Sequence, residues 1–375
     1  MAESKKYKIA WLPGDGVGVD VLEAAQIVLD KIQLDAEYIH GDIGWEFWRT
    51  EGDPLPERTT KLLKDVDAAM FGAITSKPVK AAEEELIDSL KGTGLVYRSP
   101  IVRMRQEFDL FNCLRPTKAY NGNPLNYKDD IDIVVFRENT EDLYAGVEFN
   151  TVPDELAETL GKLSKPFSKF SGLDGEEYSI SCKINTKKGC DRIIREAFQY
   201  AKDFGRKKVT VVHKANVVRA TDGLFLETGR EVAKDFPEIQ FDEANVDAMT
   251  MWLLKNPENY DVLVAPNLYG DIVSDLCAQM VGGLGFACSG NIGRDLAVFE
   301  PTHGSAPKYA GKYKVNPIAT ILASKMMLEW LGETDKADKI ENAVARVIAE
   351  GKVRTYDMGG QATSLEMAEA IAEKI

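Results

Sequence analysis

Short apolar runs alternate with longer amphipathic segments along the chain of 375 residues, and this alternation restricts the fold more than any other feature. The apolar runs have the length and composition of buried strands and cover residues 7–12, 68–74, 131–136, 209–212 and 262–265. Segments with helical periodicity cover residues 20–32, 80–91, 154–163, 187–204, 318–331, 336–349 and 364–375. Strands that alternate with helices predict an α/β fold with mostly parallel sheets.

Length, charge and cysteine content narrow the class of protein. The length is sufficient for two domains, and the net charge of −14 argues against nucleic acid or an anionic membrane as a partner. No apolar stretch is long enough to span a bilayer and the N-terminal residues lack a signal-peptide core, so a cytoplasmic location is expected. The five cysteines form no CxxC pair, which predicts reduced structural thiols.

Two aspartates follow the apolar run at residues 262–265. The segment after Gly270 predicts a helix with Ile272, Val273 and Leu276 on one side, and Asp271 and Asp275 then lie one turn apart on one face. Acidic residues are common in the first turn of a solvated helix, but two stacked carboxylates also suit Mg²⁺ or Mn²⁺. Spacing alone leaves both interpretations open.

Two glycine-containing segments invite a nucleotide-binding interpretation. In Gly14-Asp15-Gly16-Val17-Gly18 the third glycine follows the second too closely for the dinucleotide fingerprint, so a tight turn is favoured. The loop from His303 to Gly311 is rich in small residues, and its backbone N–H groups could meet a phosphate. When that loop is considered alone, a plain surface connection is the favoured interpretation.

Several charged residues stand where α/β proteins place their chemistry. Arg98, Arg105 and Arg115 interrupt an apolar segment, and guanidinium groups bind carboxylates bidentately, although long stems lying over apolar neighbours would also explain them. Polar residues from Arg137 onward follow a buried strand directly. Lys214 also follows a strand, as either an exposed lysine or a partly buried one suited to proton transfer.

Six stretches, taken together and in order, resemble the β-decarboxylating dehydrogenases, the family of isocitrate, isopropylmalate and homoisocitrate dehydrogenases. They are LPGDGVG, RQEFDLFNCLRP, FRENTEDLYAG, VHKAN, NLYGDIVSD and HGSAPKYAGKYKVNP, and the resemblance extends from residue 12 to about residue 360. It implies the family's two-domain α/β fold with parallel-rich sheets, which is not a conventional Rossmann fold. Residues 1–110 and 282–375 would form a large cofactor-side domain, residues 111–143 and 187–281 a small dimerisation and substrate domain, and residues 144–186 an inserted clasp-like arm.

The resemblance also implies a chemistry and assigns residues to it. A divalent metal, Mg²⁺ or Mn²⁺, and a nicotinamide cofactor would support oxidation and decarboxylation of a 2-hydroxy di- or tricarboxylate. Asp271 and Asp275, with Asp247 of the neighbouring subunit, would hold the metal, Lys214 would accept the hydroxyl proton and Tyr144 would protonate the enol. The substrate-binding residues would be Arg98, Ser99, Ile101, Arg105, Arg115 and Arg137. Because active sites in this family are shared between subunits, a homodimer is implied.

The cofactor site implied by the resemblance lies on the C-terminal loop and not on the glycine-rich turn. Its predicted contacts are Thr75, His303, Gly304, Ser305, Ala306, Lys308, Tyr309, Asn316 and Tyr356. Lys308, Tyr309 and Tyr356 resemble residues that meet the 2′-phosphate of NADP in bacterial isocitrate dehydrogenases, whereas NAD-using relatives usually carry an acid at the position of Lys308. Gly360 replaces an expected arginine, so NADP is favoured and NAD remains the alternative.

The resemblance leaves the substrate among three acids. Ser99 matches the bacterial isocitrate enzymes, whereas Ile101 is closer to the isopropylmalate pattern. Arg98 favours a further carboxylate over an apolar group, because an apolar substituent would leave its charge uncompensated. Isocitrate is therefore ranked first, homoisocitrate second and isopropylmalate third. Retention of the lysine, the tyrosine and the three aspartates argues against a non-catalytic regulatory subunit.

Overall fold

The computed structural model describes residues 6–375 as a mixed α/β structure, which confirms the predicted fold class. The strands are β1 Tyr7–Gly14, β2 Ala36–His40, β3 Ala68–Ala73, β4 Asn112–Lys118, β5 Asp132–Glu138, β6 Glu148–Phe149, β7 Ile180–Ser181, β8 Lys208–His213, β9 Gln240–Asn245, β10 Val262–Ala265, β11 Cys288–Ile292 and β12 Ala297–Pro301. The α-helices are α1 Val17–Ile32, α2 Trp45–Glu51, α3 Glu57–Leu63, α4 Val79–Glu84, α5 Pro100–Glu107, α6 Asp154–Leu163, α7 Lys187–Asp203, α8 Thr221–Val232, α9 Val246–Lys255, α10 Asn267–Met280, α11 Ile318–Trp330, α12 Thr334–Glu350 and α13 Ser364–Ala372.

One ten-stranded sheet organises the molecule, with the strand order β2-β1-β3-β12-β11-β4-β5-β10-β8-β9. Pairing is parallel from β2 to β12 and from β5 to β9. Between these parallel parts, β11 and β4 pair antiparallel with their neighbours. The sheet is therefore mostly parallel, as the alternation of strands and helices predicts, and its two parallel parts run in opposite directions.

The buried apolar side chains form separate clusters on the two halves of this sheet. One large apolar cluster joins α1 and β3 with α11, α12 and α13, while two others lie within residues 131–281. The apolar strands β3, β5 and β10 are buried on both faces because helices cover the sheet on each side. This distribution accords with the predicted division into a large and a small domain, but the domain boundaries stay a prediction.

Two local predictions are wrong. The helix expected over residues 80–91 ends at Glu84, because the Ile87 N–H donates to the Arg49 carbonyl oxygen at 3.0 Å and diverts the chain onto α2. The helix α10 starts at Asn267, earlier than expected, and its buried side carries Val273 while Ile272 is 53% exposed. The short helix α5, which begins at Pro100, has no counterpart among the predicted elements.

The inserted segment contains the predicted helix, now α6, and the two-stranded sheet of β6 and β7. Its return leg is tied to the main body through the backbone, where the Asp142 N–H donates to the Ile184 carbonyl oxygen at 2.7 Å. The interlocking clasp function of this arm stays a prediction. Among the described residues, no helix combines the length and the apolar character needed to cross a bilayer.

Candidate active site

Asp271, in the first turns of α10, accepts hydrogen bonds from three side chains that come from different strands and loops. Its Oδ1 accepts from Arg137 and, at 3.2 Å, from Arg115 Nη1, and its Oδ2 accepts from the Tyr144 hydroxyl at 2.8 Å. Arg115 Nη1 also lies 3.4 Å from Asp275 Oδ1. The structure thus brings together five of the predicted site residues.

The two aspartates have different electrostatic surroundings. Burial alone would raise the pKa of Asp271, but the charges of Arg137 and Arg115 outweigh burial and hold it below its usual value. Burial also raises the pKa of Asp275, and here the single contact with Arg115 does not compensate for burial and the nearby Asp271 charge. A second cation between these carboxylates would relieve their repulsion.

The three buried arginines Arg105, Arg115 and Arg137 form a cluster in which two guanidinium groups retain donors without a partner. The pKa of Arg137 is lowered by burial and by repulsion from the other two guanidinium groups. Within the described residues, Arg137 Nη2 and Arg115 Nε are buried donors without a hydrogen-bond partner. Buried donors of this kind carry a desolvation cost that an anionic ligand would remove. The cluster therefore suits a substrate with several carboxylates.

A polar network that the sequence analysis missed fixes Arg105. Its Nε donates to Asn291 Oδ1 at 2.9 Å, and its Nη2 lies 3.4 Å from Glu300 Oε1. Asn139 Nδ2 donates to the same Asn291 oxygen at 3.0 Å. These residues come from α5, from the adjacent strands β11 and β12, and from the end of β5, so only the folded sheet reveals the network. One indication of this network is present in the sequence, because the polar residues Asn291 and Glu300 lie within apolar segments.

Cys113 is a buried free thiol, as predicted, and it lies near the three arginines. Burial alone would raise the pKa of this thiol, yet the neighbouring guanidinium charges lower it.

Tyr144 lies between the arginines and the acidic residues. Its ring faces the Arg137 guanidinium, with 5.0 Å between the guanidinium carbon and the ring centroid. Burial is the largest cause that raises the pKa of Tyr144 above its ordinary value, and Asp271 adds to it. The phenol therefore remains protonated at neutral pH and can act as a proton donor.

Lys214 and Asp247 form a separate pair in this chain. Lys214 Nζ donates to Asp247 Oδ1 at 2.5 Å, and this hydrogen bond lowers the pKa of Asp247. Neither residue contacts Asp271 or Asp275 through a hydrogen bond or ion pair. Across residues 6–375, no group of three or more His, Cys, Asp or Glu side chains is arranged to hold a metal ion. One chain thus supplies two carboxylates at α10 and holds the third elsewhere.

The remaining predicted substrate residues lie at the start of α5. Arg98 is exposed and makes no hydrogen bond or ion pair with another described residue. Ser99 is the N-cap of α5 but its side chain caps no backbone N–H, so its hydroxyl remains available. Ile101 packs against the apolar cluster that contains Leu12 and Met104.

A cleft of about 530 Å³ collects most of the predicted cofactor residues. Its size lies in the range of sites for small molecules and cofactors. His303, Gly304, Ala306, Tyr309, Asn316 and Tyr356 line it. The loop of Gly282, Gly283, Leu284 and Gly285 lines the opposite part of the cleft, and Asp357 accepts a hydrogen bond from Asn316 Nδ2 at 3.0 Å. Sequence reasoning had assigned no role to these residues.

The glycine-rich turn supports this cleft through packing. A Cβ on Gly16, whose φ is +59°, would lie 2.1 Å from the Ser305 carbonyl oxygen. The same oxygen accepts a hydrogen bond from the Val17 N–H at 2.8 Å, and the Ser305 and Thr75 hydroxyls are 2.7 Å apart. Close approach to the C-terminal loop therefore accounts for this turn, in keeping with the tight-turn interpretation.

Basic and aromatic side chains flank the cleft. Lys308 Nζ is 4.8 Å from the centroid of the Tyr309 ring, and Lys314 Nζ is 5.2 Å from that of Tyr356. The two rings are 5.8 Å apart. At Gly360 a Cβ would lie 2.0 Å from the Arg354 carbonyl oxygen, which explains why an arginine cannot stand there without backbone movement.

Comparison with known proteins identifies the family. The family model for isocitrate/isopropylmalate dehydrogenase matches residues 8–373. The chain belongs to the isocitrate/isopropylmalate dehydrogenase family. It is 41% identical over 371 residues to 3-isopropylmalate dehydrogenase of Methanothermobacter thermautotrophicus, with 99% of each chain covered. It is also 39% identical to Protein DlpA of Legionella pneumophila, of whose length it spans 59%.

A solved structure supports the same assignment. Isocitrate dehydrogenase from Methylococcus capsulatus superimposes with a TM-score of 0.84 at 38% identity, covering 98% of this chain and 99% of the other. Members of the isocitrate/isopropylmalate dehydrogenase family are decarboxylating hydroxy-acid dehydrogenases that use NAD(P) and a divalent metal. The predicted resemblance and enzyme class are therefore confirmed, while the roles of individual site residues stay predictions.

Proposed function

We propose that this protein is a cytoplasmic, homodimeric isocitrate dehydrogenase that oxidises and decarboxylates isocitrate to 2-oxoglutarate with NADP and a divalent metal. The observation that carries this proposal is the pair of buried guanidinium donors without a partner in the arginine cluster, together with the unpaired Arg98 before α5. Three carboxylates on one substrate would use both, whereas a substrate with an apolar arm would leave Arg98 without an anionic contact.

The position of Ile101 weakens the main argument for isopropylmalate. Its apolar side chain is accounted for by packing against the cluster of Leu12 and Met104, so it needs no apolar substituent on the substrate. Homoisocitrate remains the second candidate, because its additional methylene leaves the three carboxylates in place and Arg98 would serve it too. Discrimination by one methylene is small, on the order of 10-fold to 200-fold.

The site residues fit a metal with hard oxygen ligands. Asp271 is ionised and Asp275 is 60% exposed at its side chain, so Asp275 retains free acceptor positions. We assign Asp271 and Asp275 of one subunit and Asp247 of the partner subunit as the ligands. A bound Mg²⁺ or Mn²⁺ would supply Lewis-acid polarisation of the oxygen at the carbon being oxidised, and the nicotinamide would supply the hydride acceptor.

The chain's own residues bind the acid and move its protons. Arg105, Arg115 and Arg137 hold the carboxylates and orient the carbon that loses hydride. Lys214 of the partner subunit, in its uncharged amine form, accepts the hydroxyl proton through Nζ and becomes the ammonium. After carbon dioxide leaves, Tyr144 donates its phenolic proton to the carbon that carried it. The raised pKa of Tyr144 keeps this proton in place up to alkaline pH.

Exposed apolar side chains support a dimer through α9 and α10. Met251 and Leu254 on α9 are 53% and 44% exposed, and Ile272 on α10 is 53% exposed. These residues lie on the same helices as Asp247 and Asp271, so an interface that covers them would bring metal ligands of two chains together. The Lys214–Asp247 pair makes no hydrogen bond or ion pair with Asp271 or Asp275 of its own chain, and in our proposal a second chain brings these groups together.

Absorbance at 340 nm tests the proposed function directly. The purified protein would be assayed with Mg²⁺, with isocitrate, homoisocitrate and 3-isopropylmalate, and with NAD and NADP. We expect the highest kcat/KM for isocitrate with NADP. Reduction only with 3-isopropylmalate would overturn the substrate assignment, and no reduction with any combination would favour a non-catalytic relative.

Arg98→Leu should change substrate preference. Loss of one charge-assisted contact, worth on the order of 1.5–3 kcal/mol, predicts a roughly 10- to 100-fold lower kcat/KM for isocitrate. The rate with 3-isopropylmalate should stay level or rise, because its apolar arm would no longer face a charge. Lys80→Leu, which removes an exposed charge from α4, is the control. An equal loss with both acids would show that Arg98 does not contact the arm in which isocitrate and 3-isopropylmalate differ.

Lys308→Asp should move cofactor preference toward NAD. In our proposal the basic groups of Lys308 and Lys314 attract the 2′-phosphate, so a carboxylate at position 308 would repel it and accept from a ribose hydroxyl instead. We expect the ratio of kcat/KM for NADP to that for NAD to fall at least about 100-fold. Lys339→Asp, at an exposed position on α12, controls for net charge, and an unchanged ratio in Lys308→Asp would refute the NADP assignment.

A further inference from the structure

Lys183 is a largely buried cation on the return leg of the inserted arm, two residues after the end of β7. Its side chain is only 14% exposed. Its Nζ donates to Asp222 Oδ1 at 2.5 Å, lies 3.7 Å from Asp142 Oδ1, and lies 4.3 Å from the centroid of the Tyr269 ring. Lysine rarely occupies such a position unless its charge is needed there. The reaction scheme proposed above gives it no role.

The two aspartates around Lys183 have no exposed surface and hold the backbone of three site segments. Asp142 accepts from the Leu143 N–H at 2.8 Å and from the Leu268 N–H at 3.0 Å. Asp222 accepts from the Lys214 N–H at 2.7 Å. Leu143 precedes Tyr144, and Leu268 belongs to the first turn of α10, which carries Asp271.

Charge balance makes Lys183 necessary to this arrangement. In the part of the chain that the structure describes, no other lysine, arginine or histidine side-chain nitrogen lies within 4.0 Å of either carboxylate. Without Lys183, two negative charges would remain buried side by side, and a buried charge that loses its partner is strongly destabilised. The aspartates would then protonate or turn toward solvent, and either change would loosen the backbone N–H groups that they hold.

We propose that Lys183 is a positioning residue, through which docking of the arm sets the backbone of Tyr144, of Lys214 and of the first turn of α10. The arm thereby contributes to turnover and not only to contacts between subunits. The backbone bond from Asp142 to Ile184 beside it makes the arm and this charge cluster one unit. The inference rests on the proposed function for its kinetic consequence, while its structural consequence can be measured without catalysis.

Lys183→Met tests the proposal, because methionine keeps most of the side-chain volume and removes the charge. We expect kcat to fall roughly 100-fold, as misplacement of reacting groups by about 1 Å produces, with KM for the acid and for NADP within about 3-fold of wild type. Lys183→Arg keeps the charge and should recover most of kcat. Lys187→Met, a nearby lysine that is 71% exposed, should match wild type.

Hydrogen exchange provides a readout that is independent of activity. In Lys183→Met we expect faster exchange in peptides that contain the amides of Leu143, Lys214 and Leu268, and unchanged exchange in α11. If the wild type has no activity, the proposed function fails but this measurement still decides the role of Lys183. If Lys183→Met folds poorly, the double variant Lys183→Met/Asp222→Asn is measured in its place. It replaces one of the two buried carboxylates with a neutral amide. Wild-type kcat together with wild-type exchange in Lys183→Met would overturn the proposal.

Discussion

Asp271→Asn is expected to lower kcat/KM by at least about 10³-fold, the largest loss that we predict for a single substitution. The amide retains the shape of the carboxylate but removes the negative charge of the proposed metal ligand. The side chain that accepts from Arg137, Arg115 and Tyr144 then becomes neutral. The arginine cluster would lose its nearest compensating charge, so the guanidinium groups would repel one another more strongly. We therefore expect weaker Mg²⁺ binding together with slower turnover.

Two measurements separate these effects of Asp271→Asn. Calorimetric titration with Mg²⁺ should show a dissociation constant raised at least about 10-fold, and kcat at saturating metal should remain far below that of wild type. Asp338→Asn, at an exposed position on α12, is the matched control and should behave as wild type. A near-normal rate in Asp271→Asn would remove the metal assignment.

Periodicity predicted those elements whose own residues decide their structure. The strand over residues 262–265 and the helix over residues 154–163 appear with the predicted bounds. Residues 85–91 failed because a distant backbone contact with Arg49 outweighs their helical preference. The strands β4 and β11 were missed because they carry polar side chains inside, and these side chains pair only across the assembled sheet.

The residues of the candidate site likewise fall into two groups, those that the sequence analysis identified and those that it missed. Asp271 and the arginines were noticed in the sequence as stacked carboxylates and as guanidinium groups within or beside apolar segments, and the resemblance to the family assigned their roles and that of Tyr144. Asn291 and Lys183 were missed, since each acts on residues that lie more than thirty positions away in sequence and shows no local pattern. A buried partner of this kind becomes visible only when burial and charge are considered together in the folded chain.

A mixture of two inactive variants should recover activity if the proposed active site is shared. Tyr144→Phe removes the proposed proton donor from the Asp271 cluster, and Lys214→Met removes the proposed base from the Lys214–Asp247 pair. We expect each variant alone to lose at least about 100-fold in kcat. Both should fold, because Asp271 keeps its arginine contacts in the first and Asp247 is 66% exposed in the second.

Unfolding the two variants together and refolding them should form hybrid dimers. Each hybrid has one site that combines intact Tyr144 of one chain with intact Lys214 of the other, while its second site lacks both. Random pairing makes half of the dimers hybrids, so about a quarter of wild-type activity should return. Lys214→Met refolded with Lys214→Met/Tyr144→Phe is the control and should stay inactive, because no pairing restores a lysine. Failure of the first mixture to gain activity, with heterodimers verified by mass spectrometry, would show that Lys214 serves the Asp271 cluster of its own chain.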